Sequence, residues 1–409
     1  MGGTPFVVIG GGPAGAVAAA RLAQRGEAVI VLEKAAFPRF RLGESLLPQS
    51  LHVLEALGAL DEVRARFLVK KGAQFHDDAS SRATRFSFDG AFDNRYDYAF
   101  QVPRDEFDAI LLARAAALGA DVRHGWTVTR AIAAAGGGVT GVVACDPDGR
   151  EHSVEARFVI DASGRDALFA HDGRATERLD GLENTALYAH VRGMAREEGD
   201  REGDVHIVLF DGGWHWVIPF KDGRTSVGAV VTRAWMRANG AAGGARGADA
   251  RDVPDALFSK AVEASSAMSR LMKGAERLWP ARAAADFSYR VGKPFGEGWV
   301  AVGDAGGFID PLFSTGVHIA MWGAFEAVPA ILEGTLPAWD GRVRAGADLF
   351  LAAVRGFYKG ALQPYMFTSN PRTYLRRAIT SMLSGDVFAD TRWTRDMRER
   401  LVTIVGAGA

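Results

Sequence analysis

The segment from Pro5 to Lys34, PFVVIGGGPAGAVAAARLAQRGEAVIVLEK, constrains the fold more than any other part of the chain. A short apolar strand, a glycine turn, an alanine-rich helix and a second apolar strand follow one another, and the second strand ends in Glu33. Gly10, Gly12 and Gly15 supply GxGxxG in the strand–turn–helix setting that motif needs, with an acid about twenty residues further on. Gly10 permits the tight turn, Gly12 lets the backbone approach a pyrophosphate, and Gly15 lets the helix pack on the sheet. The helix start, with Ala14 beside it, favours phosphate charge. Glu33 is placed to accept from ribose hydroxyls. This predicts a Rossmann-type dinucleotide unit but does not choose between FAD and NAD.

Bulk properties remove several alternatives. The 409 residues allow two or three packed layers over one extended core, and 48% hydrophobic with 24% charged residues is an ordinary globular balance. A formal net charge of -1 and the lack of a basic tract give no reason to expect a nucleic-acid partner. Cys145 is the single cysteine, so no intrachain disulfide forms; it reads as core filler in a reducing compartment. PFVVIGGG is too short for a signal-peptide core, and Phe6 stands where a myristoylation signal needs Ser or Thr. No apolar run reads as a membrane span, so the expectation is a cytoplasmic protein with no membrane partner.

The opening unit is not succeeded by the next alternating strand of a nicotinamide domain. FPRFRLGESLLP occupies residues 37 to 48, and QVPRDEFDAILLARAAALGADV reads as a turn and an amphipathic helix starting near Arg104 and Asp105. A meander comes next in WTVTRAIAAA, VTGVVACD and EARFVIDASGR, joined by Gly-Gly and Asp-Gly turns, and GWVAVGDAGGF is a buried strand ending at Gly303-Asp304. This order resembles the FAD-dependent monooxygenase superfamily with the aromatic-hydroxylase-like fold. The resemblance implies that Arg104 reaches the FAD phosphates, that Asp161 to Gly164 sit near the dinucleotide, and that Asp304 bonds the ribityl chain or ribose. It also makes Arg41, Glu44, Ser45 and Val128 candidate FAD contacts. A helix-capping salt bridge for Arg104 and a turn-forming role for Asp304 are the plainer alternatives.

ALYAHVRG, DVHIVLF, GWHWVIPF and TSVGAVVT alternate and are linked by DGG and KDGR, which predicts an antiparallel sheet over the flavin. NGAAGGARGADARD, residues 239 to 252, reads as a surface loop, and REEGDREGD as a solvated one. The chain beyond 324 reads as helical, with a kink or break at Pro364. The expected fold is α/β (α+β overall): a discontinuous FAD-binding domain (1–70, 101–165 and 295–330), an antiparallel-sheet substrate domain (71–100 and 166–294), and a helical C-terminal region (331–409).

Two stretches narrow the class. WHWVIP, residues 214 to 219, fits WxWxIP, and FIDPLFSTG fits FxxPxxSxG through Phe308, Pro311, Ser314 and Gly316. Together with GESLLP they resemble the flavin-dependent halogenases. Strand alternation puts Trp214, Trp216 and Ile218 on one face and His215, Val217 and Pro219 on the other, so the two indoles aim one way. They either fill a core or obstruct contact between an organic substrate and the flavin; His215 reads as structural.

Ser314-Thr315-Gly316 leads into a helical pattern near Val317, whose unpaired N–H groups and dipole make an anion site. Gly316 has no Cβ to obstruct an isoalloxazine ring, and Gly316 and Val317 are candidate FAD contacts. The resemblance implies that chloride or bromide sits at Ser314, Thr315 and Gly316, and that O2 and FAD as FADH2 oxidise it to hypohalous acid. It further implies that the acid travels through a tunnel to a lysine, for which the K-x-G-A pattern selects Lys70, with Lys71 in reserve. The lysine either donates a hydrogen bond to the acid or forms a haloamine. Tryptophan-type members carry a glutamate directly before Ser-Thr-Gly; Phe313 stands there, which tilts the expectation toward a phenol or pyrrole, free or carrier-protein-tethered. A second GxGxxG unit is missing, so reduced FAD is expected from a separate flavin reductase. No metal site is expected. An NAD(P)H-dependent aromatic hydroxylase and an isoprenoid reductase are the rival activities on the same scaffold.

Overall fold

A computed structural model describes residues 3–169, 176–240, 253–285, 287–368 and 373–407. The glycine- and alanine-rich part of the 239–252 segment therefore falls largely outside the described residues.

Phe6–Ile9 lies inside a six-stranded sheet, between Val29–Glu33 and Phe158–Asp161, both parallel to it. Asp121–His124 extends the sheet on one side and Trp299–Ala301, also parallel, on the other, where Phe295–Gly296 adds an antiparallel edge. Both faces of Phe6–Ile9 are buried, which explains its unbroken apolar run. Phe6 and Val8 face a layer of helices, while Val7 and Ile9 face a three-stranded meander. Burying each of these side chains stabilises the fold by about 1.5–3 kcal/mol.

The helix Pro13–Gln24 has proline in its first turn and is buried along most of its length. Its Ala16, Ala18, Ala19 and Ala20 are small enough for Arg104–Ala117 and Thr315–Glu333 to pack closely beside it. The meander differs from expectation at its third strand. Glu151–Glu155 completes it, but Phe158–Asp161 leaves to join the parallel sheet. Ala156 and Arg157 make the crossing, which a single apolar pattern does not reveal.

The second sheet contains Thr185–Arg192, Arg224–Val231, Gly213–Pro219 and Val205–Phe210, joined by Gly72–Asp77 and Arg82–Ser87. Its pairings are antiparallel except that Gly72–Asp77 runs parallel to Val205–Phe210. Val217, Val227 and Ala229 point to the short helices Val253–Glu263 and Ser266–Leu271. Trp214, Trp216 and Ile218 point the other way, into a cluster shared with the helices Leu336–Tyr358, Thr373–Leu383 and Arg392–Ala407. Pro364 starts the short helix Gln363–Met366 and kinks nothing, because the preceding helix has already ended at Tyr358. The helix Thr315–Glu333 is long and apolar enough to cross a bilayer, contrary to the sequence expectation, yet most of it is buried within the protein. Its apolar surface goes into core packing.

Candidate active site

A cavity of about 600 Å³ runs from the glycine turn to the face of the second sheet that carries the two tryptophans. Gly10, Gly12, Ala14, Glu33, Arg39, Val128, Ala162 to Asp166, Arg41 to Ser45, Arg104, Asp304, Ser314, Gly316 and Val317 line it, with Trp214, Trp216 and Ile218 at the sheet. One continuous space thus joins residues spread over most of the sequence.

At the glycine turn, Gly10 has φ +94°, and a Cβ there would lie 2.6 Å from the Ala162 carbonyl oxygen. Gly15 is off the cavity wall; a Cβ on it would sit 1.9 Å from the Gly10 carbonyl oxygen, so it holds helix and turn together. Glu33 is buried, and its two oxygens accept from the amides of Gly11 (2.6 Å) and Ala35 (2.7 Å). Each oxygen keeps a second lone pair for a ribose hydroxyl.

Arg104 donates through Nε and Nη2 to both oxygens of the fully buried Asp108, at 2.6 and 3.0 Å, and through Nη1 to the Leu42 carbonyl. The salt-bridge alternative therefore describes its bonds, although the side chain also lines the cavity. Arg39 donates to the same Asp108 carboxylate at 3.0 Å and lies 3.7 Å from Glu33. Both guanidinium groups line the cavity, where N–H groups not taken by Asp108 and Glu33 suit a diphosphate. Arg39 and Asp108 were missed by sequence reasoning: they lie 69 residues apart, and no local pattern joins them. Arg165, Lys34 and Asp166 on the same wall were missed as well, Lys34 and Asp166 forming a half-exposed ion pair.

Asp161 requires a correction. Its side chain turns away from the cavity and accepts from the amides of Ser163 and Phe169, each at 3.0 Å, so it shapes the turn that Ala162, Ser163 and Gly164 present. Asp304 does line the cavity; burial pushes its carboxyl up to about 6, against the pull of Arg104, Arg165 and Arg41. Glu44 lines it too, bonded at 2.7 Å to Nε2 of the buried His190, a partner 146 residues away that the sequence did not suggest.

The helix Thr315–Glu333 begins two residues before the expected start at Val317, after Ser314 in the left-handed region at φ 57°. Ser314, Gly316 and Val317 are on the wall, whereas Thr315 is buried off it. The space a Cβ would need at Gly316 is bounded by the Phe308 ring, 2.7 Å away. The first and last residues of FxxPxxSxG are thus packing partners, and the reason for glycine at 316 is visible within the protein. Phe313 sits in an apolar cluster beside Phe75 and Phe357, where a carboxylate would be strongly destabilised.

Lys70 and Lys71 part company. Lys70 is 1% exposed, and its Nζ donates to Ser45 Oγ and the Leu46 carbonyl, each at 2.9 Å. Burial brings its amine down from 10.5 to about 7, only partly opposed by Asp204. Lys71 reaches solvent and pairs with Asp200 at 2.6 Å. One expectation needs correcting: Lys70 is not on the wall of the main cavity. Ser45 is, so the amine stands one hydroxyl behind it.

Trp214 and Trp216 lie with ring centres 6.2 Å apart, each with its N–H satisfied. Trp216 pairs across strands with Gly228, where a Cβ would come within 2.1 Å of the indole. Only glycine leaves room for that ring. Gly228→Ala is expected to displace the Trp216 indole, cost about 1–3 kcal/mol in unfolding measurements, and open the tryptophan wall. His215 faces the opposite side, against Phe210, and burial lowers it to about 4, which fits a structural role.

A family profile described as tryptophan halogenase matches residues 5–96 and 79–335. The chain belongs to the flavin-dependent halogenases. It is 34% identical over 331 residues to a tryptophan 2-halogenase of Chondromyces crocatus, covering 80% of this chain and 61% of that one, so it spans about three fifths of that relative. It is 29% identical over 419 residues to the 1H-pyrrole-2-carbonyl-(peptidyl-carrier protein) chlorinase of Pseudomonas fluorescens, covering 94% and 90%. The solved structure of the myxobacterial chondrochloren halogenase CndH superposes with a TM-score of 0.79 at 28% identity, covering 98% of this chain and 97% of that one. Halogenases of this family use FAD. The guanidinium groups of Arg39 and Arg104, both lining the cavity, and the Gly10 turn fit its diphosphate.

Proposed function

We propose that this halogenase transfers chlorine or bromine to an electron-rich aromatic ring, a phenol or a pyrrole, and that Lys70 is the residue that presents the halogen. Bound reduced FAD supplies the activation of O2. In balance, halide and reduced FAD each give two electrons, O2 becomes two waters, and the halogen replaces a ring proton.

The observation that carries this reading is a buried amine lowered to about 7, one hydroxyl behind a cavity whose sheet end is walled by two indoles. In that setting Ser314, Gly316 and the helix start beside them attract halide, since the positive end of the helix dipole faces the cavity. Trp214 and Trp216 keep the organic ring from the flavin and exclude water from the oxidant's path. Ser45 Oγ and the Leu46 carbonyl orient the Lys70 amine. Phe313 itself supplies no carboxylate, which favours rings that react without assistance. We further propose that a separate flavin reductase supplies FADH2 and that the ring arrives free or on a carrier protein. The pyrrole halogenases among its relatives act on carrier-bound rings.

Mass spectrometry of phenols and pyrroles, free and carrier-bound, incubated with the protein, FAD, a flavin reductase, O2 and bromide tests the proposal. A product heavier by one bromine in place of one hydrogen is the expected result. An oxygenated, halogen-free product formed with NADPH alone would overturn it in favour of a hydroxylase.

A further inference from the structure

Trp214 is not held by packing alone. Its indole N–H, in a ring 1% exposed, donates to the Tyr358 hydroxyl at 2.8 Å. The Tyr358 hydroxyl donates in turn to Asp310 Oδ2 at 3.1 Å, and Asp310 Oδ1 accepts from the Leu312 amide at 2.9 Å. Burial pushes the Asp310 carboxyl up to about 7, and with it ionised the direction of this chain is fixed. An indole N–H can only donate, so the tyrosine oxygen accepts from it and its one proton is left for the carboxylate.

The three residues come from three parts of the fold. Trp214 is on the second sheet, Tyr358 is the last residue of the helix Leu336–Tyr358, and Asp310 lies in the FIDPLFSTG loop. Asp310 is fully buried, and the next residue, Pro311, lines the cavity. A buried carboxylate with both oxygens occupied is a rigid anchor: any rotation of Tyr358 or Trp214 leaves a polar group unpaired in an apolar cluster.

We propose that Tyr358 and Asp310 are positioning residues that fix the plane of the Trp214 indole, and with it the seal between the flavin end and the substrate end of the site. This rests on the reading of the indoles as a barrier. It couples the helix Leu336–Tyr358 to the loop before Ser314, because the halogen oxidant reaches product efficiently only while the chain Trp214–Tyr358–Asp310 is intact.

Tyr358→Phe, Trp214→Phe and the double variant test this in the full-length protein with FAD, reductase, bromide and a phenol or pyrrole. In each, the fraction of reduced FAD oxidation that ends as halogenated product is compared with the oxidant caught by a β-diketone halogen trap. Tyr358→Phe is expected to oxidise reduced FAD at nearly the parent rate while the product fraction falls about three- to tenfold. Adding it to Trp214→Phe should produce no further fall, because the hydroxyl acts on coupling only through its bond to the indole, although it also bonds Asp310 and interacts with Asn184. Unchanged coupling in Tyr358→Phe, or two losses that multiply in the double variant, would overturn the proposal.

Asp310→Asn is the second variant. Its amide carbonyl still serves the Leu312 amide but turns an NH2 toward Tyr358, and the same fall is expected. A readout independent of halogenation separates this proposal from the proposed function. The fluorescence lost in Trp214→Phe reports Trp214, and Tyr358→Phe should make that component more accessible to acrylamide. If the parent protein halogenates nothing, the proposed function fails. The positioning claim then stands or falls on the quenching, and unchanged quenching sinks it.

Discussion

Lys70→Met is expected to lower formation of halogenated product by about 10²–10⁴-fold, the range that a positioned proton-transferring side chain contributes, while oxidation of reduced FAD continues. Methionine matches the length of the stem, with sulfur in place of one methylene, and removes the amine. The parent's own profile carries a second expectation. Nζ has two acceptors within hydrogen-bond distance, Ser45 Oγ and the Leu46 carbonyl, which match the two N–H bonds of a neutral amine. With burial holding the group near 7, halogenation should rise with pH below about 7 and level off above it, the haloamine route. A profile that falls through the same point would assign the ammonium as hydrogen-bond donor to hypohalous acid.

Stability supplies the control for Lys70→Met. The folded amine titrates near 7 and the unfolded one near 10.5, so between those values the unfolded chain holds more protons. Folding is therefore penalised in full below about 7, and the penalty fades as pH rises toward 10.5. Methionine removes it. Lys70→Met should unfold at a higher temperature than the parent at pH 7, with the difference shrinking at pH 9. A variant that is more stable yet makes no product cannot owe its inactivity to misfolding. Retained halogenation would instead remove Lys70 from the mechanism.

Gly15→Ala is expected to weaken FAD binding at least ~100-fold, or about 2.7 kcal/mol, measured by retention or quenching of flavin fluorescence. The new Cβ would meet the Gly10 carbonyl oxygen at 1.9 Å, and neither partner is a flexible side-chain end. The helix Pro13–Gln24 must back away from the turn, which carries Gly10 and Gly12 out of register with the cavity. Gly26→Ala is the matched control. Gly26 has φ +77° and nothing within 4 Å of its missing Cβ, so substitution there costs about 1–2 kcal/mol of backbone strain and leaves FAD binding intact. Equal FAD affinity in Gly15→Ala and the parent would mean that helix and turn move independently.

Arg104, Asp161 and Lys70 show how far the sequence can be read. Each is marked by its place in a motif, and each lies in or directly behind the cavity region. For Arg104 and Asp161, however, the hydrogen-bond partners were not legible. Asp108, one turn along the helix, takes the Arg104 guanidinium, and the amides of Ser163 and Phe169 take the Asp161 carboxylate. Motif position says which backbone a residue stands on; only the folded neighbours say where its side chain finds an acceptor. Glu44–His190 and Trp214–Tyr358 are the same case at separations of 146 and 144 residues.

The sequence alone determined the dinucleotide unit, the first hairpin of the meander, and the common face of Trp214 and Trp216, because those depend on strand and turn geometry between near neighbours. Strand alternation also sends Lys70 and Lys71 to opposite faces. Which of the two is buried was decided by tertiary structure: Lys70 pairs with Ala99 across strands and lies under Ser45 and Leu46, while Lys71 meets Asp200 in solvent. Alternation along a strand has a period but no sign; the sign comes from what the rest of the chain packs against it.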